Sequence, residues 1–265
     1  CHSVSFEQRT RILNGDNIFE VIPELDKYDI IMHCHTNVYF NTPSKVQICW
    51  AVGFNDIVHE GFKHILLYND YQHPILKGSP LIHKFQIGKR VPDFFKKREK
   101  DDYIFQCTRH VPEFSSCEVA DFCNSRNIKV VFAGPIMQGY PLLEKINNIN
   151  SFYLGEINEA KKMELTKRAK AYTLLHNWNV PFSLSLLESL SVGTPVFSTA
   201  NGFLPSIIKN EYNGFFCFNP DGLGLAWDRR DSIIQENCYL TACKYNHYSM
   251  VTSIKEALDK ISSSS

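Results

Sequence analysis

The stretch Pro181-Phe-Ser-Leu-Ser-Leu-Leu-Glu-Ser-Leu-Ser-Val-Gly-Thr-Pro-Val-Phe197 decides the fold. Its pattern predicts a short loop, a helix, a tight turn and a buried strand. No charged residue lies between Trp178 and Leu187, so no acidic side chain is available to cap the first helical amides near Ser183. A helix end of this kind carries partial positive charge and free N–H groups, which suit a phosphate or diphosphate. Glu188 follows about one turn later and projects beside whatever anion the helix end holds.

A plainer interpretation of the same residues stays open at this point. Ser183 has the side chain of an ordinary helix N-cap, and Glu188 can lie on a solvated face. The tripeptide Gly193-Thr-Pro195 by itself indicates only a turn into a strand. The rest of the chain has to decide between a ligand site and a routine helix start.

The chain outside this stretch predicts an α/β protein with parallel sheets. Apolar runs predict strands near 28–35, 46–50, 64–68 and 84–87, and a charged segment then covers residues 89–102. We place a domain boundary in that segment, after residue 92, and interpret it as a solvated linker rather than a contact with anionic membranes. Beyond it, strands near 103–108, 129–133, 152–154, 171–175, 195–199 and 214–218 alternate with helices near 115–127, 140–149, 157–169, 183–192 and 204–209. Residues 231–261 are predicted to form C-terminal helices. This alternation predicts strands paired in parallel with helices on both faces.

Several pieces of this half resemble the donor-binding segment of the retaining glycosyltransferases of family 4, the glycosyl transferases group 1. The matching pieces are Phe105-Gln-Cys-Thr-Arg109, Lys129-Val-Val-Phe-Ala-Gly-Pro135, Phe152-Tyr-Leu-Gly155, Ala171-Tyr-Thr-Leu-Leu175, Pro181-Phe-Ser-Leu184, Leu186-Leu-Glu-Ser189, Gly193-Thr-Pro-Val196 and Asn213-Gly-Phe215. Together they cover about half of the chain in the family's order and spacing.

The resemblance implies a GT-B-like fold with two Rossmann-like domains. Residues 1–92 would form an abbreviated, acceptor-side N-terminal domain, and residues 93–265 the nucleotide-sugar-binding domain with C-terminal helices. The implied activity is a hexosyl transfer from a UDP- or GDP-sugar, with retention and without a metal or another cofactor. The acceptor would be a glycan, a lipid-linked group or a small molecule.

The resemblance also assigns roles to individual residues. Arg109 would neutralise the donor diphosphate, and Glu188 would accept hydrogen bonds from the ribose hydroxyls. His35, at the end of the run His33-Cys-His35, would contact the transferred sugar, with a register uncertain by two residues. The remaining expected donor-binding residues lie in two loops and are Gly134, Pro135, Phe182, Ser183 and Leu184.

Two positions depart from the family pattern. The lysine expected five residues after Arg109 is Phe114, and the first Glu of the E-x7-E motif is Val180. These departures favour a second interpretation, in which the protein binds nucleotide sugars as a catalytically weak, inactive or accessory member of the fold. A third interpretation keeps the fold but changes the reaction, for example to epimerisation of a sugar nucleotide.

Composition limits the remaining possibilities. Lysine plus arginine and aspartate plus glutamate each number 28, and this neutral balance argues against general nucleic-acid binding. No stretch approaches the roughly 20 apolar residues of a membrane span, so at most a peripheral membrane contact is expected. The first residues carry no apolar run of a signal peptide, and the nine scattered cysteines suggest free thiols. We therefore expect a cytoplasmic protein with no zinc site.

Overall fold

The computed structural model describes residues 30–34, 46–50, 57–58, 61–68, 75–76, 79–180, 182–218 and 220–264. The chain divides into two compact units. One unit runs to Phe85 and also includes the residues from Ser253 onward, and the other is Gln86–Thr252. The functional boundary after residue 92 remains a prediction.

The first unit contains a parallel sheet of four strands in the order β1-β2-β4-β6. The strands of this unit are β1 Ile30–Cys34, β2 Val46–Trp50, β3 Ile57–Val58, β4 His64–Leu67, β5 Ile75–Leu76 and β6 Leu81–Lys84. Strands β3 and β5 pair with each other, also in parallel. The strands predicted near 28–35, 46–50 and 64–68 are confirmed, whereas β6 precedes most of the run predicted at 84–87.

The second unit is built on a six-stranded parallel sheet in the order β12-β11-β10-β7-β8-β9. Its strands are β7 Asp101–Cys107, β8 Lys129–Ala133, β9 Ser151–Tyr153, β10 Ala169–Leu174, β11 Val196–Ser198 and β12 Gly214–Phe216. Along the chain, β7, β8 and β9 follow one another toward one edge of the sheet, and β10, β11 and β12 follow one another toward the other edge. The sheet therefore has a topological switch point between β7 and β10, and ligands of such sheets bind at the carboxyl ends of the strands there. The predicted α/β class with parallel strands is confirmed.

Eight helices are described, and most of them follow the predicted alternation. They are α1 Ser116–Ser125, α2 Leu142–Lys145, α3 Glu159–Arg168, α4 Leu184–Ser191, α5 Leu204–Ile207, α6 Pro220–Asp228, α7 Gln235–Cys243 and α8 His247–Ser264. Helix α2 is much shorter than the segment predicted at 140–149, and α6 was not predicted. None of the described helices is long and apolar enough to cross a bilayer.

Helix α4 connects the central strand β10 to its neighbour β11. Leu186, Leu187 and Leu190 are at most 1% exposed and pack into the main core. The helix ends where Gly193 adopts a positive φ of 73° and donates its N–H to the Leu190 carbonyl at 3.0 Å, a conformation that glycine adopts without a steric penalty. This packing fixes the N-terminal end of α4 at the switch point.

The charged segment at 89–102 is only partly a solvated linker. Arg90 and Lys96 are exposed as predicted. In contrast, Lys100 donates hydrogen bonds to the Lys167 carbonyl at 2.8 Å and to the Thr194 hydroxyl at 2.5 Å. Burial lowers the pKa of Lys100 to about 7. The segment is therefore anchored to the second unit through buried polar contacts.

Candidate functional site

Arg109 lies two residues beyond the end of β7, at the switch point of the sheet. Its side chain is exposed and forms no ion pair with any residue that the structure describes. The guanidinium of Arg109 is therefore available to an anion. This position agrees with the expected role, although the role itself stays a prediction.

The residue at the expected lysine position is packed as an apolar side chain. Phe114 is half-buried, and its ring meets the ring of His176 edge to face at a centroid distance of 4.7 Å. No cation can be supplied from this position. The expected pair of an arginine and a lysine is therefore reduced to Arg109 at these two positions.

The N-terminal end of α4 combines features of both sequence interpretations. The Ser183 hydroxyl accepts a hydrogen bond from the Leu186 N–H at 3.3 Å, so Ser183 is an N-cap. The first turn contains no acidic side chain, so the helix end keeps its partial positive charge. Phe182 packs against Phe203 at a centroid distance of 4.7 Å, and Leu184 is 47% exposed. Phe182 therefore anchors the loop, while the following turn stays open to solvent.

Glu188 does not lie on a solvated face. It is 5% exposed, and its carboxylate binds two lysines at once. One carboxylate oxygen contacts the ammonium of Lys89, and the other lies 2.8 Å from the Lys162 Nζ. Glu159 completes this charge network, with its oxygens 2.8 Å from the Lys162 Nζ and 3.3 Å from the Lys89 Nζ. The network thus contains two cations and two anions, and the carboxylate of Glu188 is its buried member.

The charge network lies close to the end of β7 and to the first turn of α4. The Tyr172 hydroxyl donates to the Cys107 carbonyl at 2.7 Å and also hydrogen-bonds the Ser185 side chain. Burial raises the pKa of the Cys107 thiol, and the charges of Lys162 and Glu159 act on the same group. Burial likewise raises the pKa of Tyr172, which keeps its hydroxyl protonated as a donor. Tyr172 thus ties the end of β7 to the first turn of α4, and Lys162 and Glu159 lie close enough to act on Cys107 there.

The predicted donor-binding loop after β8 is shaped by internal hydrogen bonds. Gly134 has a φ of 115°, and a Cβ there would collide with the Thr108 carbonyl. The Gly134 N–H donates to the Gly155 carbonyl at 2.8 Å, and its own carbonyl accepts from the Tyr153 hydroxyl at 2.8 Å. Pro135 is exposed next to it. Gly134 thus sets the path of the loop, and Pro135 is the member of this pair that faces solvent.

A buried histidine that sequence reasoning missed holds the same loop in place. The His110 Nε2 lies 3.0 Å from the Ala133 carbonyl, and its Nδ1 lies 2.8 Å from the Ser116 hydroxyl. The first contact requires a proton on Nε2, which leaves Nδ1 as the acceptor. Burial lowers the pKa of His110 to about 4, so the ring is neutral at pH 7. His110 ties the start of α1 to the end of β8, and an isolated histidine gives no sequence signal for this.

A second missed histidine follows β10. His176 is 4% exposed, and neither of its ring nitrogens has a hydrogen-bond partner among the described residues. Burial lowers its pKa to about 4. Val180, four residues on, is also 4% exposed, and its carbonyl accepts from the Phe203 N–H at 3.1 Å. The position of the family's first Glu is therefore occupied by an apolar packing residue.

The remaining predicted residue, His35, lies outside the described residues, as does Pro181. Strand β1 ends just before it, and His33 in that strand is in register with Cys49 of β2. The role of His35 stays a prediction. Within the described ranges, no group of three or more His, Cys, Asp or Glu side chains is placed to hold a metal ion.

Part of the second unit matches the model of a known family. Residues 118–248 match the family model of glycosyl transferases group 1, a segment of 131 of the 265 residues. An uncharacterized glycosyltransferase of Methanocaldococcus jannaschii is 34% identical over 79 residues, which are 29% of this chain. That match spans 20% of the relative, so this chain corresponds to about a fifth of it.

Solved structures resemble the chain over most of its length. HepE of Anabaena in complex with UDP-glucose has a TM-score of 0.69 at 13% identity, covering 93% of this chain and 82% of its own. Sucrose-phosphate synthase from Thermosynechococcus elongatus has a TM-score of 0.73 at 12% identity, covering 98% of this chain and 79% of its own. This chain has the GT-B fold. The predicted GT-B-like class is thereby confirmed, and the group 1 domain within it supports a glycosyltransferase.

Proposed function

We propose that this protein transfers a hexose from a UDP- or GDP-sugar to a glycan, a lipid-linked group or a small molecule, with retention of configuration and without a metal. One observation carries the proposal: Arg109, the positive end of α4 and the buried Glu188 all lie by the ends of the central strands β7 and β10. A cation, a helix end and a carboxylate suit the diphosphate and the ribose of one nucleotide sugar. We also propose a cytoplasmic location and a family 4 type of mechanism.

Each group has a defined task in this proposal. The α4 end and Arg109 bind the diphosphate oxygens and stabilise the negative charge that grows as the sugar–phosphate bond breaks. Glu188 accepts hydrogen bonds from the ribose hydroxyls and so orients the nucleotide. The acceptor hydroxyl attacks the anomeric carbon from the face that the diphosphate leaves, and its proton passes to a leaving phosphate oxygen. His35 would contact the transferred sugar.

A transfer assay tests this proposal directly. The protein is incubated with UDP- and GDP-hexoses and with glycan and lipid-linked acceptors, with and without a chelator, and NMR of the product gives its anomeric configuration. We expect product of retained configuration, unaffected by the chelator and strongly reduced in Arg109→Met. Product of inverted configuration would refute the proposed stereochemistry, and loss of activity on chelation would refute the absence of a metal.

A second candidate function rests on two specific side chains. Val180 is buried where the family has a Glu, and Phe114 packs on His176 where the family has a Lys. A protein with these changes can retain nucleotide-sugar binding and lack turnover, acting as an accessory subunit. Tight binding of a nucleotide sugar without any product, across all acceptors, would favour this candidate. Conversion of the donor sugar without an acceptor product would instead favour epimerisation.

A further inference from the structure

The two lysines on Glu188 offer a source for the cation that is missing at Phe114. Burying a carboxylate alone is costly, and burial is tolerated when partners satisfy both of its oxygens. Glu188 has two ammonium groups on its two oxygens. Lys89 comes from the segment before β7 and Lys162 from α3, so separate parts of the second unit converge on this carboxylate. The two ammonium groups are held beside Glu188, with Glu159 as their second counter-charge.

These two ammonium groups lie near the place where the diphosphate of a donor is expected. Lys162 acts electrostatically on Cys107, whose carbonyl is linked through Tyr172 to Ser185 in the first turn of α4. Among the described residues, the second anion of the network is Glu159, whose side chain is 60% exposed. Ion pairs of so exposed a group are weak, because water screens them. An incoming phosphate can therefore compete for both ammonium groups.

We propose that Lys89 and Lys162 bind the donor diphosphate and so replace the cation that Phe114 removes. This inference rests on the proposed function of the site. Before a nucleotide binds, the two lysines pair with Glu188 and Glu159. When a nucleotide enters, the ribose hydroxyls donate hydrogen bonds to the Glu188 carboxylate, and the ammonium groups donate to the diphosphate oxygens. Each polar group keeps a hydrogen-bond partner in both states.

This exchange makes the two lysines determinants of specificity for the diphosphate. A nucleoside lacks the anion that draws the lysines away, so its ribose hydroxyls compete with them for Glu188. A nucleoside diphosphate supplies that anion and binds far better. Neutralising either lysine is therefore expected to weaken binding of the diphosphate selectively and to leave binding of the nucleoside unchanged or slightly stronger.

Calorimetric titration tests the inference on the full chain, with UDP against uridine and GDP against guanosine. Lys162→Met and Lys89→Met are each expected to weaken binding of the preferred diphosphate by about tenfold or more, the usual effect of a lost charged hydrogen bond. Binding of the nucleoside is expected to stay within about twofold. Lys161→Met is the matched control, because Lys161 lies on the same helix but pairs with the exposed Glu164, and it should bind like the parent. Lys162→Arg, which keeps the charge, should retain much of the preference.

Removing Lys162 also leaves the buried Glu188 with one ammonium partner fewer, which destabilises the fold. A second comparison separates this loss of stability from the effect on nucleotide binding. Lys162→Met is combined with Glu188→Gln and measured against Glu188→Gln alone, a background without the buried charge. The ratio of diphosphate to nucleoside affinity should fall in this pair as well. If the parent binds UDP or GDP and the lysine variants keep that ratio, the inference is wrong. If the folded parent binds no nucleotide, the proposed function itself fails.

Discussion

Replacing Lys162 with Met tests the buried charge network through the stability of the protein. The change keeps the apolar stem of the side chain but removes one ammonium group from Glu188, at a site where the Nζ–Oε2 distance is 2.8 Å. The side chains of Lys162 and Glu188 are 19% and 6% exposed. Breaking a fully buried ion pair costs about 3–5 kcal/mol. Because Lys89 remains in place and Lys162 is partly hydrated, we expect a loss of about 1–2 kcal/mol in the free energy of unfolding.

A double-mutant cycle isolates this pair from other effects of the substitution. Urea unfolding at pH 7, followed by tryptophan fluorescence, compares the parent, Lys162→Met, Glu188→Gln and the double variant. The coupling free energy between the two positions should be about 1–2 kcal/mol, so that Lys162→Met costs little once Glu188 is neutral. Lys161→Met should stay within about 0.5 kcal/mol of the parent, since its ion pair is exposed. An equal cost of Lys162→Met in both backgrounds would refute the network as the source of the loss.

Three further predictions concern the donor site and the fold around it. Phe114→Lys adds a cation at the position where the family has one, and calorimetry should show about tenfold tighter binding of the preferred nucleoside diphosphate; an unchanged affinity would contradict the assignment of this position. Burial holds the pKa of His110 and of His176 at about 4, below the ordinary value of 6.5. At pH values between about 4 and 6.5 the unfolded chain therefore binds more protons than the folded protein. The free energy of unfolding should therefore fall as the pH drops from about 6.5 to about 4, by up to about 1.4 kcal/mol per pH unit for each histidine, and equal urea midpoints at pH 7 and pH 5 would argue against buried neutral rings. Gly134→Ala forces a side chain onto the Thr108 carbonyl at a positive φ and should cost more than about 2 kcal/mol; an unchanged melting temperature would show that the loop relaxes freely.

The sequence predicts well those elements whose apolar pattern and length both indicate the same type of structure. Strand β8 was predicted at 129–133 and is Lys129–Ala133, and α4 was predicted at 183–192 and is Leu184–Ser191. In both cases the buried residues form one short run or one helical face, so local sequence and tertiary packing demand the same structure. The position of α4 at the switch point followed from the alternation of strands and helices.

The two helices that the sequence predicts wrongly, α2 and α6, have local physical causes for the difference. The segment predicted as a helix at 140–149 ends early because the Asn147 side chain accepts hydrogen bonds from three backbone N–H groups, those of Ile149, Asn150 and Ser151. Such bonds compete with helical ones. Helix α6 begins with Pro-Asp-Gly-Leu-Gly, a composition typical of a turn. Proline is nevertheless well tolerated in the first turn of a helix, and here Leu223 and Ala226 bury that helix in the core.

The charge network was beyond local sequence reasoning for a different reason. Glu188 was recognised from its position in a motif, but its partners Lys89 and Lys162 are remote from it in sequence. Lysines are frequent and mostly solvated, so nothing in their neighbourhood distinguishes these two from Lys96 or Lys161. Only the packing of α3 and of the segment before β7 brings them to the carboxylate.

Calorimetric titration of UDP, GDP and ADP into the parent and into Glu188→Gln tests the central claim most directly. The account predicts that the parent binds one of these nucleotides in preference to the others, and that Glu188→Gln binds it at least about tenfold more weakly while remaining folded. Binding of equal strength in both proteins would show that Glu188 does not hold the nucleotide. The absence of any binding to the folded parent would contradict a donor site at the end of α4.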